Sequence, residues 1–375
     1  MPDTLASVTS LPITVNDRHI LMRTGASRSA PLHRTFVALA VAVLVSACVQ
    51  APAATPGGGS DVGHVDVTDG QVVASSSTTL GQTPIPPPAE IATFSIPVGA
   101  KSITYDLDGE PASGPSSFAV ANDGTVYVAD TIAVRDGPAR LLSFTATGDP
   151  LETIDLGHLQ VASVVDIATD GTALAILDVD VKFQLYRVHR IHPDGELVET
   201  TVLPAGYRFE DGLSGLAWDD DGILLEFEGG AWYRRLGSDP AIDRLDVPSW
   251  NGTAVTVGAS DGGSADVCVE AECFTVLRTS ELGGVQLIGV DIHGGIHLLV
   301  TDVHIGDTVE VTETIRTYQR GQLVGSSSFE VSDQFVDVPH AYEVTSSGQI
   351  LHLRTERERV LVEVVNAPPG GGSGA

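Results

Sequence analysis

The stretch FAVANDGTVYVADT, residues 118–131, decides the fold of this chain. Two runs of alternating apolar and small residues flank an Asn-Asp-Gly triplet, and this alternation has the period of two that β-strands show. Glycine supplies the positive φ that a tight turn needs, and a neighbouring Asp or Asn tolerates the left-handed region. The stretch therefore predicts a β-hairpin that turns at Gly124.

The hairpin recurs along the chain. The matching segments are VDIATDGTALAILD around Gly171, LAWDDDGILLEF around Gly222, VDIHGGIHLLVTD around Gly295 and YEVTSSGQILHLR around Gly348. A second hairpin follows most of them, as in ARLLSFTATGDPLETIDL at residues 139–156, so each unit holds four short strands. The five glycines are 47, 51, 73 and 53 residues apart, and a four-stranded propeller blade takes about 40–50 residues.

The long third interval has room for an extra unit. Its segments TAVTVGASDGG and ADVCVEAECFTVLRT supply the strands of a compact blade. We therefore predict an all-β propeller of six four-stranded blades, with five blades as the alternative.

The first blade resembles the NHL-type and gluconolactonase-type β-propeller repeats. DGTVYVADT followed by ARLLSFTATGDPLETIDL is similar to blades that pair a D-G-x-[IV]-Y-V-A-D hairpin with a strand reading R-[IVL]-x-x-[FY]. The likeness covers about residues 91–365 and is looser in SSGQILHLRTERERVLVEVV, the last repeat. It implies a propeller, a fold that hosts binding and many chemistries alike.

The ends of the propeller are expected to meet in one blade. The last unit stops after RVLVEVV without a fourth strand, whereas EIATFSIPVG, residues 90–99, precedes the first unit. We expect this segment to form the missing outer strand, since such a closure removes exposed sheet edges.

The amino-terminal region is typical of a lipoprotein signal. A basic segment after Met22, the expected true start, leads into an apolar run over 36–45 that is too short to span a bilayer permanently. The tetrapeptide VSAC that follows resembles the lipobox of bacterial lipoproteins, in which the chain is cleaved before a cysteine that then becomes diacylglyceryl-modified. We predict a signal over residues 1–47 and lipidation of Cys48, with a free thiol at Cys48 as the alternative.

The predicted lipoprotein has four parts along the chain. After the signal, residues 48–90 carry the lipidated cysteine and a linker rich in Pro, Gly, Ser and Thr with no sustained periodicity, which predicts a disordered tether. The propeller follows at 91–365, and a low-complexity tail at 366–375. The expected location is the outer face of the bacterial cell membrane.

Composition restricts the partners. The net charge is −29 with only 20 Lys and Arg, and nucleic acid is held by basic side chains that neutralise phosphates. This balance excludes a nucleic-acid partner and favours cations or basic molecules. We expect a monomer that contacts the membrane through its lipid anchor and binds a protein or carbohydrate partner.

Two cysteines of the propeller are spaced for a disulfide. If Glu270 and Ala271 form a two-residue turn, Cys268 faces Cys273 across an antiparallel pair, at a distance that a disulfide tolerates. An exported location permits the bond. A structural disulfide is favoured over a redox or metal-binding pair.

Three carboxylates are candidates for a metal site. Asp166, Asp291 and Glu343 fall near one equivalent position of the inner strands, where Ala119 and Ala217 stand in two other repeats. Innermost strands line the channel of a propeller, and hard oxygen ligands of this kind suit Ca²⁺. Gluconolactonase-like enzymes hold a metal in the same general place, so the resemblance implies one here. The alternative is that these residues cap turns or face water.

Histidines and aromatic residues give weaker indications of a zinc site and of a sugar-binding site. His293 and His297 match the H-x-x-x-H spacing of zinc sites, but a Gly-Gly turn separates them on strands, so ordinary histidines are favoured. Trp218 and Trp250 either pack between blades or stack on a sugar.

The sequence as a whole favours a lipid-anchored propeller that binds or scaffolds a partner without catalysis. The alternative is a metal-dependent hydrolase or lyase of the gluconolactonase kind, with Asp166, Asp291 and Glu343 as the ligands.

Overall fold

A computed structural model describes residues 89–99, 102–107, 114–130, 139–161, 163–180, 185–204, 206–207, 211–238, 246–258, 263–306, 308–330, 334–336 and 338–366. Within these ranges, strands β1–β23 form six antiparallel sheets, and a 3-10 helix at Gly157–Leu159 is the only helix described. No helix in this part of the chain is long and apolar enough to cross a membrane. The predicted signal, Cys48 and most of the predicted linker lie outside the described residues.

The first three blades follow one another along the chain. Blade 1 comprises β2 (Phe118–Val120), β3 (Val126–Asp130), β4 (Arg140–Phe144) and β5 (Pro150–Asp155). Blade 2 comprises β6 (Val164–Thr169), β7 (Leu174–Asp180), β8 (Leu185–Ile191) and β9 (Leu197–Val202). Blade 3 comprises β10 (Leu213–Asp219), β11 (Gly222–Phe227) and β12 (Trp232–Arg235), and an isolated bridge joins Tyr233 to Asp246 at its outer side.

The other three blades complete the ring. Blade 4 comprises β13 (Ser249–Trp250), β14 (Thr253–Val257), β15 (Ser264–Val269) and β16 (Glu272–Leu277). Blade 5 comprises β17 (Leu282–Val290), β18 (Gly295–Ile305), β19 (Val309–Gln319) and β20 (Gln322–Glu330). Blade 6 comprises β21 (Tyr342–Val344), β22 (Ile350–Thr355), β23 (Arg359–Asn366) and β1 (Phe94–Pro97).

The six-bladed propeller predicted from the repeat is confirmed. Blade 4 is the extra unit placed in the long interval between glycines, which removes the five-bladed alternative. The predicted closure is also confirmed, because β1 pairs antiparallel with β23, with Phe94 opposite Val362 and Pro97 opposite Arg359.

In blades 1 and 2 the second strand is buried on both faces because a neighbouring blade covers each side. Every residue of β3 is buried, as are the first five residues of β7, which explains why these strands read as continuous apolar runs. Leu141 and Ile154 of blade 1 pack in one cluster with Ile167 and Ile176 of blade 2. Each such side chain contributes about 1.5–3 kcal/mol on burial, so contacts between blades hold the ring together.

The β15–β16 hairpin has the register predicted for a disulfide. Cys268 lies opposite Cys273, with Cα atoms 4.0 Å apart, and their sulfur atoms are bonded. Glu270 takes a positive φ of 53° in the two-residue turn between the strands. The bond therefore closes the tip of a hairpin in blade 4.

Candidate functional site: an acidic cavity on the propeller axis

A cavity of about 420 Å³ lies where the six blades meet. The first strand of every blade contributes to its wall, with one example from each blade being Val120, Asp166, Ala217, Trp250, Gln286 and Glu343. The cavity therefore lies on the axis of the ring, the usual location of ligand sites in this architecture.

Asp166 is fixed at the base of the cavity by three blades. Its Oδ1 accepts hydrogen bonds from Ser117 Oγ at 2.5 Å and from the Ile167 amide at 2.8 Å. Its Oδ2 accepts one from the Leu216 amide at 2.7 Å. The side chain is 2% exposed, so these donors replace the water that a carboxylate would otherwise bind.

His340 packs against Asp166 through a gap left by a glycine. Its Nε2 donates to the Ser214 carbonyl at 2.9 Å, and its Nδ1 is 3.6 Å from Asp166 Oδ2. A Cβ at Gly215 would lie 2.6 Å from Asp166 Oδ2 and would clash with the His340 ring. Position 215 therefore has to be glycine for this pair to meet.

The charge on His340 depends on surrounding carboxylates. Burial disfavours the imidazolium, but Asp166 and Glu226 outweigh burial and raise the pKa of His340, and the Ser214 carbonyl and Glu343 act in the same direction. The cluster thus favours a cationic histidine surrounded by acidic groups.

Two glutamates complete the cluster, and both have raised pKa values. Burial raises the pKa of Glu226 to about 7, although His340 opposes the shift. Burial, followed by the charge of Asp166, raises the pKa of Glu343 to about 8. A protonated carboxyl can donate as well as accept a hydrogen bond, so the cavity offers both functions near neutral pH.

Tyr233 lies beside Glu226, its partner across β11 and β12. Tyr233 is 5% exposed and lines the cavity. Its hydroxyl has no hydrogen-bond partner among the described residues. Glu226 is 6% exposed, and within the same ranges only its Oε1 is satisfied, by Ser214 Oγ at 3.1 Å. The Tyr233 hydroxyl and Glu226 Oε2 can therefore each form a further hydrogen bond with a molecule in the cavity.

Blades 3 and 4 are joined by hydrogen bonds in one part of the cavity wall. Trp250 Nε1 donates to the Trp218 carbonyl at 2.9 Å, and Asp220 accepts hydrogen bonds from the amides of Asn251 at 3.0 Å and Gly252 at 2.7 Å. Both tryptophans line the cavity. These bonds between blades hold aromatic surface in the cavity wall.

The three carboxylates predicted as Ca²⁺ ligands do not converge. Asp166 and Glu343 share the cavity, but Asp291 lies in the turn between β17 and β18. Its Oδ1 accepts from the amides of His293 at 2.7 Å and Gly295 at 2.9 Å. Among the described residues no group of three or more His, Cys, Asp or Glu side chains is arranged to hold a metal ion. The residues present therefore do not fit that calcium site.

The error in placing Asp291 comes from the choice of glycine in its turn. Gly294, with a φ of 75°, takes the left-handed position that Gly171 and Gly348 take in their repeats, at 86° and 85°. Counting from Gly294 puts Gly289 at the position of Asp166, and makes Asp291 a turn residue. The predicted alignment on Gly295 therefore gave Asp291 a position that belongs to Gly289, two residues earlier in the chain.

The clustered histidines of this region are also separated. His297 Nε2 donates to Asp291 Oδ2 at 3.1 Å, and its Nδ1 shares a hydrogen bond of 3.1 Å with Thr317 Oγ1. His293 and His304 are exposed. His297 is thus engaged with its own blade, while His293 and His304 lie at the surface.

Sequence reasoning missed Glu226 and His340. The available signal for Glu226 was its position as the single acidic residue of the strand GILLEF, in which the four remaining residues between 223 and 227 are all apolar. His340 precedes Glu343 by three residues, immediately before the inner strand of blade 6. Both follow from the rule that an ionisable group in a buried strand needs a specific partner or role.

Comparison with known proteins finds distant structural matches only. No protein-family model and no curated protein matches the sequence. The structure is similar to a putative 6-phosphogluconolactonase from Bacteroides fragilis, at 16% identity over 70% of this chain and 87% of that one, with a TM-score of 0.37. It is also similar to the WD40 β-propeller domain of Doa1, at 10% identity over 73% and 90%, with a TM-score of 0.37. A glucose dehydrogenase matches at 11% identity over 68% and 96%, with a TM-score of 0.38.

Proposed function

We propose that this chain is a β-propeller binding module whose axial cavity takes a small ligand. The observation that carries the proposal is the cavity of about 420 Å³, in which the buried Tyr233 hydroxyl and Glu226 carboxyl retain unused bonding capacity. Its volume is in the range of about 300–1,000 Å³ found for small-molecule sites. Aromatic residues in the wall and fixed polar groups at the base are the usual composition of such sites.

The binding function is preferred to the metal-dependent hydrolase or lyase. That alternative depends on Asp166, Asp291 and Glu343 acting as one ligand set, and Asp291 is engaged with its own turn instead. Binding of a small ligand in the cavity requires only side chains that line it, such as Glu226, Tyr233 and Glu343.

A cavity-filling substitution tests the binding function. We expect Ala217→Trp, which places an indole in the cavity, to abolish the binding of small molecules found by ligand-observed NMR against a library of amines, sugars and carboxylic acids. Ala271→Trp is the matched control, because Ala271 is exposed at the β15–β16 turn. Thermal melts of both variants establish that they fold. Ligands that bind Ala217→Trp as tightly as the wild type would place the site elsewhere and contradict the proposal.

We further propose that the module is held on the outer face of the bacterial cell membrane by a lipid on Cys48. The apolar run and the VSAC sequence before the linker support this location. An anchored propeller would present its cavity to molecules outside the cell.

Metabolic labelling tests the anchor. Wild-type protein is expected to incorporate radioactive palmitate, while Cys48→Ser loses the label and either stays unprocessed or is released. The double variant Cys268→Ser/Cys273→Ser serves as the control, since it removes two cysteines but keeps Cys48. Label that persists in Cys48→Ser would exclude lipidation at that residue.

A further inference from the structure

The wall of the cavity is strongly acidic. Six carboxyl residues contribute to it: Asp166, Asp170, Asp219, Asp220, Glu226 and Glu343. None of the described lining residues is a lysine or arginine, and His340 is the single basic side chain among them. Like charges that line a concave site with low-dielectric walls concentrate the opposite charge there. Glu226 and Glu343 have raised pKa values, and a bound cation would favour their ionised forms, so the cavity selects for cations.

Several of these carboxyls already have an ion-pair or hydrogen-bond partner within the protein. A bound cation is therefore expected at the carboxyls that have fewer partners. Asp219 forms a bidentate pair with Arg235, through Nη1 and Nη2 at 2.9 Å each. Asp220 is committed to backbone amides of blade 4, and Asp166 to the donors described above. Among these six residues, Glu226 and Glu343 are the carboxyls best placed to take a charged partner from a ligand.

Two oxygen atoms in or beside these carboxyls can accept a hydrogen bond from a ligand. Glu226 Oε2 has no donor among the described residues, and the Tyr233 hydroxyl oxygen beside it can accept a further bond. An ammonium group has three N–H donors and a positive charge. It has enough donors for one bond to each of Glu226 and Tyr233, which are cross-strand partners, and for a third to Glu343, which lines the same cavity. A charged hydrogen bond is the stronger kind.

The remainder of the cavity suits the organic part of such a ligand. The Tyr233 and Trp250 rings lie edge to face with centroids 6.3 Å apart, and Trp218 borders the same space. Aromatic faces attract cations, and together with the apolar side chains of Ile288 and Val344 they cover an uncharged body. The site thus combines a group of carboxyl side chains with a partly aromatic wall.

We infer that the axial cavity binds a small organic molecule through its primary ammonium group, which donates hydrogen bonds to Glu226, Glu343 and Tyr233. This inference rests on the proposed binding function and specifies the class of ligand. It distinguishes the site from one that takes a neutral sugar, an organic acid or a metal ion.

Isothermal titration of the whole mature protein with matched probes tests the inference. The amines are 2-phenylethylamine and 1,5-diaminopentane. The comparison probes are 2-phenylethanol, which lacks the charge, 3-phenylpropanoic acid, which reverses it, and trimethyl(2-phenylethyl)ammonium, which keeps it without an N–H donor. We expect at least one of the two primary amines to bind about tenfold or more tightly than any of the three comparison probes, because loss of a charged hydrogen bond costs about that factor. Ca²⁺ is titrated separately.

Variants locate the ammonium group. Glu226→Gln is expected to weaken amine binding about tenfold or more, and Tyr233→Phe by a smaller factor, since each removes one bond. Glu199→Gln, the same change on an exposed position of β9, should leave binding unchanged. If Glu226→Gln fails to fold in a thermal melt, Glu343→Gln and Tyr233→Phe decide the question.

The outcomes separate this inference from the function on which it rests. If sugars or acids bind the cavity and are lost in Ala217→Trp, the binding function stands and the ammonium site is overturned. Tight binding of Ca²⁺ without amine binding, or equal binding of the trimethylated probe, also overturns the ammonium site. If none of the probes and no library compound binds at millimolar concentration, both proposals fail.

Discussion

Replacing Asp178 by alanine is expected to lower the free energy of unfolding by about 3–5 kcal/mol, the usual loss when one partner of a buried ion pair is removed. The Asp178 carboxylate is fully buried at the end of β7 and pairs with the Arg187 guanidinium on β8. It also accepts from the Ser163 amide at 3.2 Å and lies 3.5 Å from His189 Nε2. Without it, the Arg187 guanidinium loses its carboxylate acceptor, and the buried His189 ring loses the negative charge beside it.

Chemical unfolding of two further variants checks this result. Glu199→Ala, on the exposed face of β9, should change the unfolding free energy by less than about 0.5 kcal/mol. The double variant Asp178→Leu/Arg187→Met should recover a large part of the loss, because an apolar pair of similar size avoids the uncompensated charge. A loss in Asp178→Ala no larger than that in Glu199→Ala would show that the pair is not stabilising.

The second large effect is on the pH dependence of stability. The pKa of Glu343 is about 8 and that of Glu226 about 7 in the folded chain, against about 4.3 when unfolded. A carboxyl with a raised folded pKa binds protons in the folded state that it has lost in the unfolded state, so stability falls as pH rises from about 5 to about 8. The raised pKa of His340 acts in the same direction, since its contribution is lost as pH rises through the folded value.

Removing one of these carboxyls should therefore stabilise the protein in alkaline solution. We expect Glu343→Gln to match the wild type near pH 5 and to exceed it by about 2 kcal/mol or more near pH 9, because each unit of pKa shift corresponds to about 1.4 kcal/mol. Urea unfolding at both pH values, without added amines or divalent cations, measures the difference. Glu199→Gln is the matched control. Parallel pH profiles for Glu343→Gln and the wild type would mean that Glu343 does not carry the expected shift.

The fold could be predicted because its signals are local. Gly124, Gly171 and Gly348 each take a φ near 85° at the turn of an inner hairpin, as the Asp-Gly and Ser-Gly pairs indicate. The flanking alternation then sets the strands, and the incomplete last repeat indicated the pairing of β1 with β23. A short-range pattern that occurs five times, with one interval long enough for a sixth blade, is enough to specify the ring.

The cavity could be predicted only in part, because it depends on contacts between distant residues. The inner-strand position of Asp166 and Glu343 followed from the repeat. The approach of His340 to Asp166 depends instead on Gly215, a residue of a third blade that lacks a repeat signal. The turn at Gly294 shows a further limit, since two adjacent glycines leave the turn residue ambiguous, and the choice of Gly295 placed Asp291 on the inner strand when it lies in the turn.

The closure of the ring also determines the order in which the chain can fold. Blades 1, 2, 4 and 5 are built from consecutive hairpins, which can form as soon as each segment is synthesised. Blade 6 cannot, because the Val364 amide donates to Thr93 Oγ1, a residue 271 positions earlier. Such distant pairing forms slowly, since a long loop must close before its contacts are gained. We expect β1 to stay unpaired until β23 has been synthesised, so among the described strands the first in the chain is the last to pair.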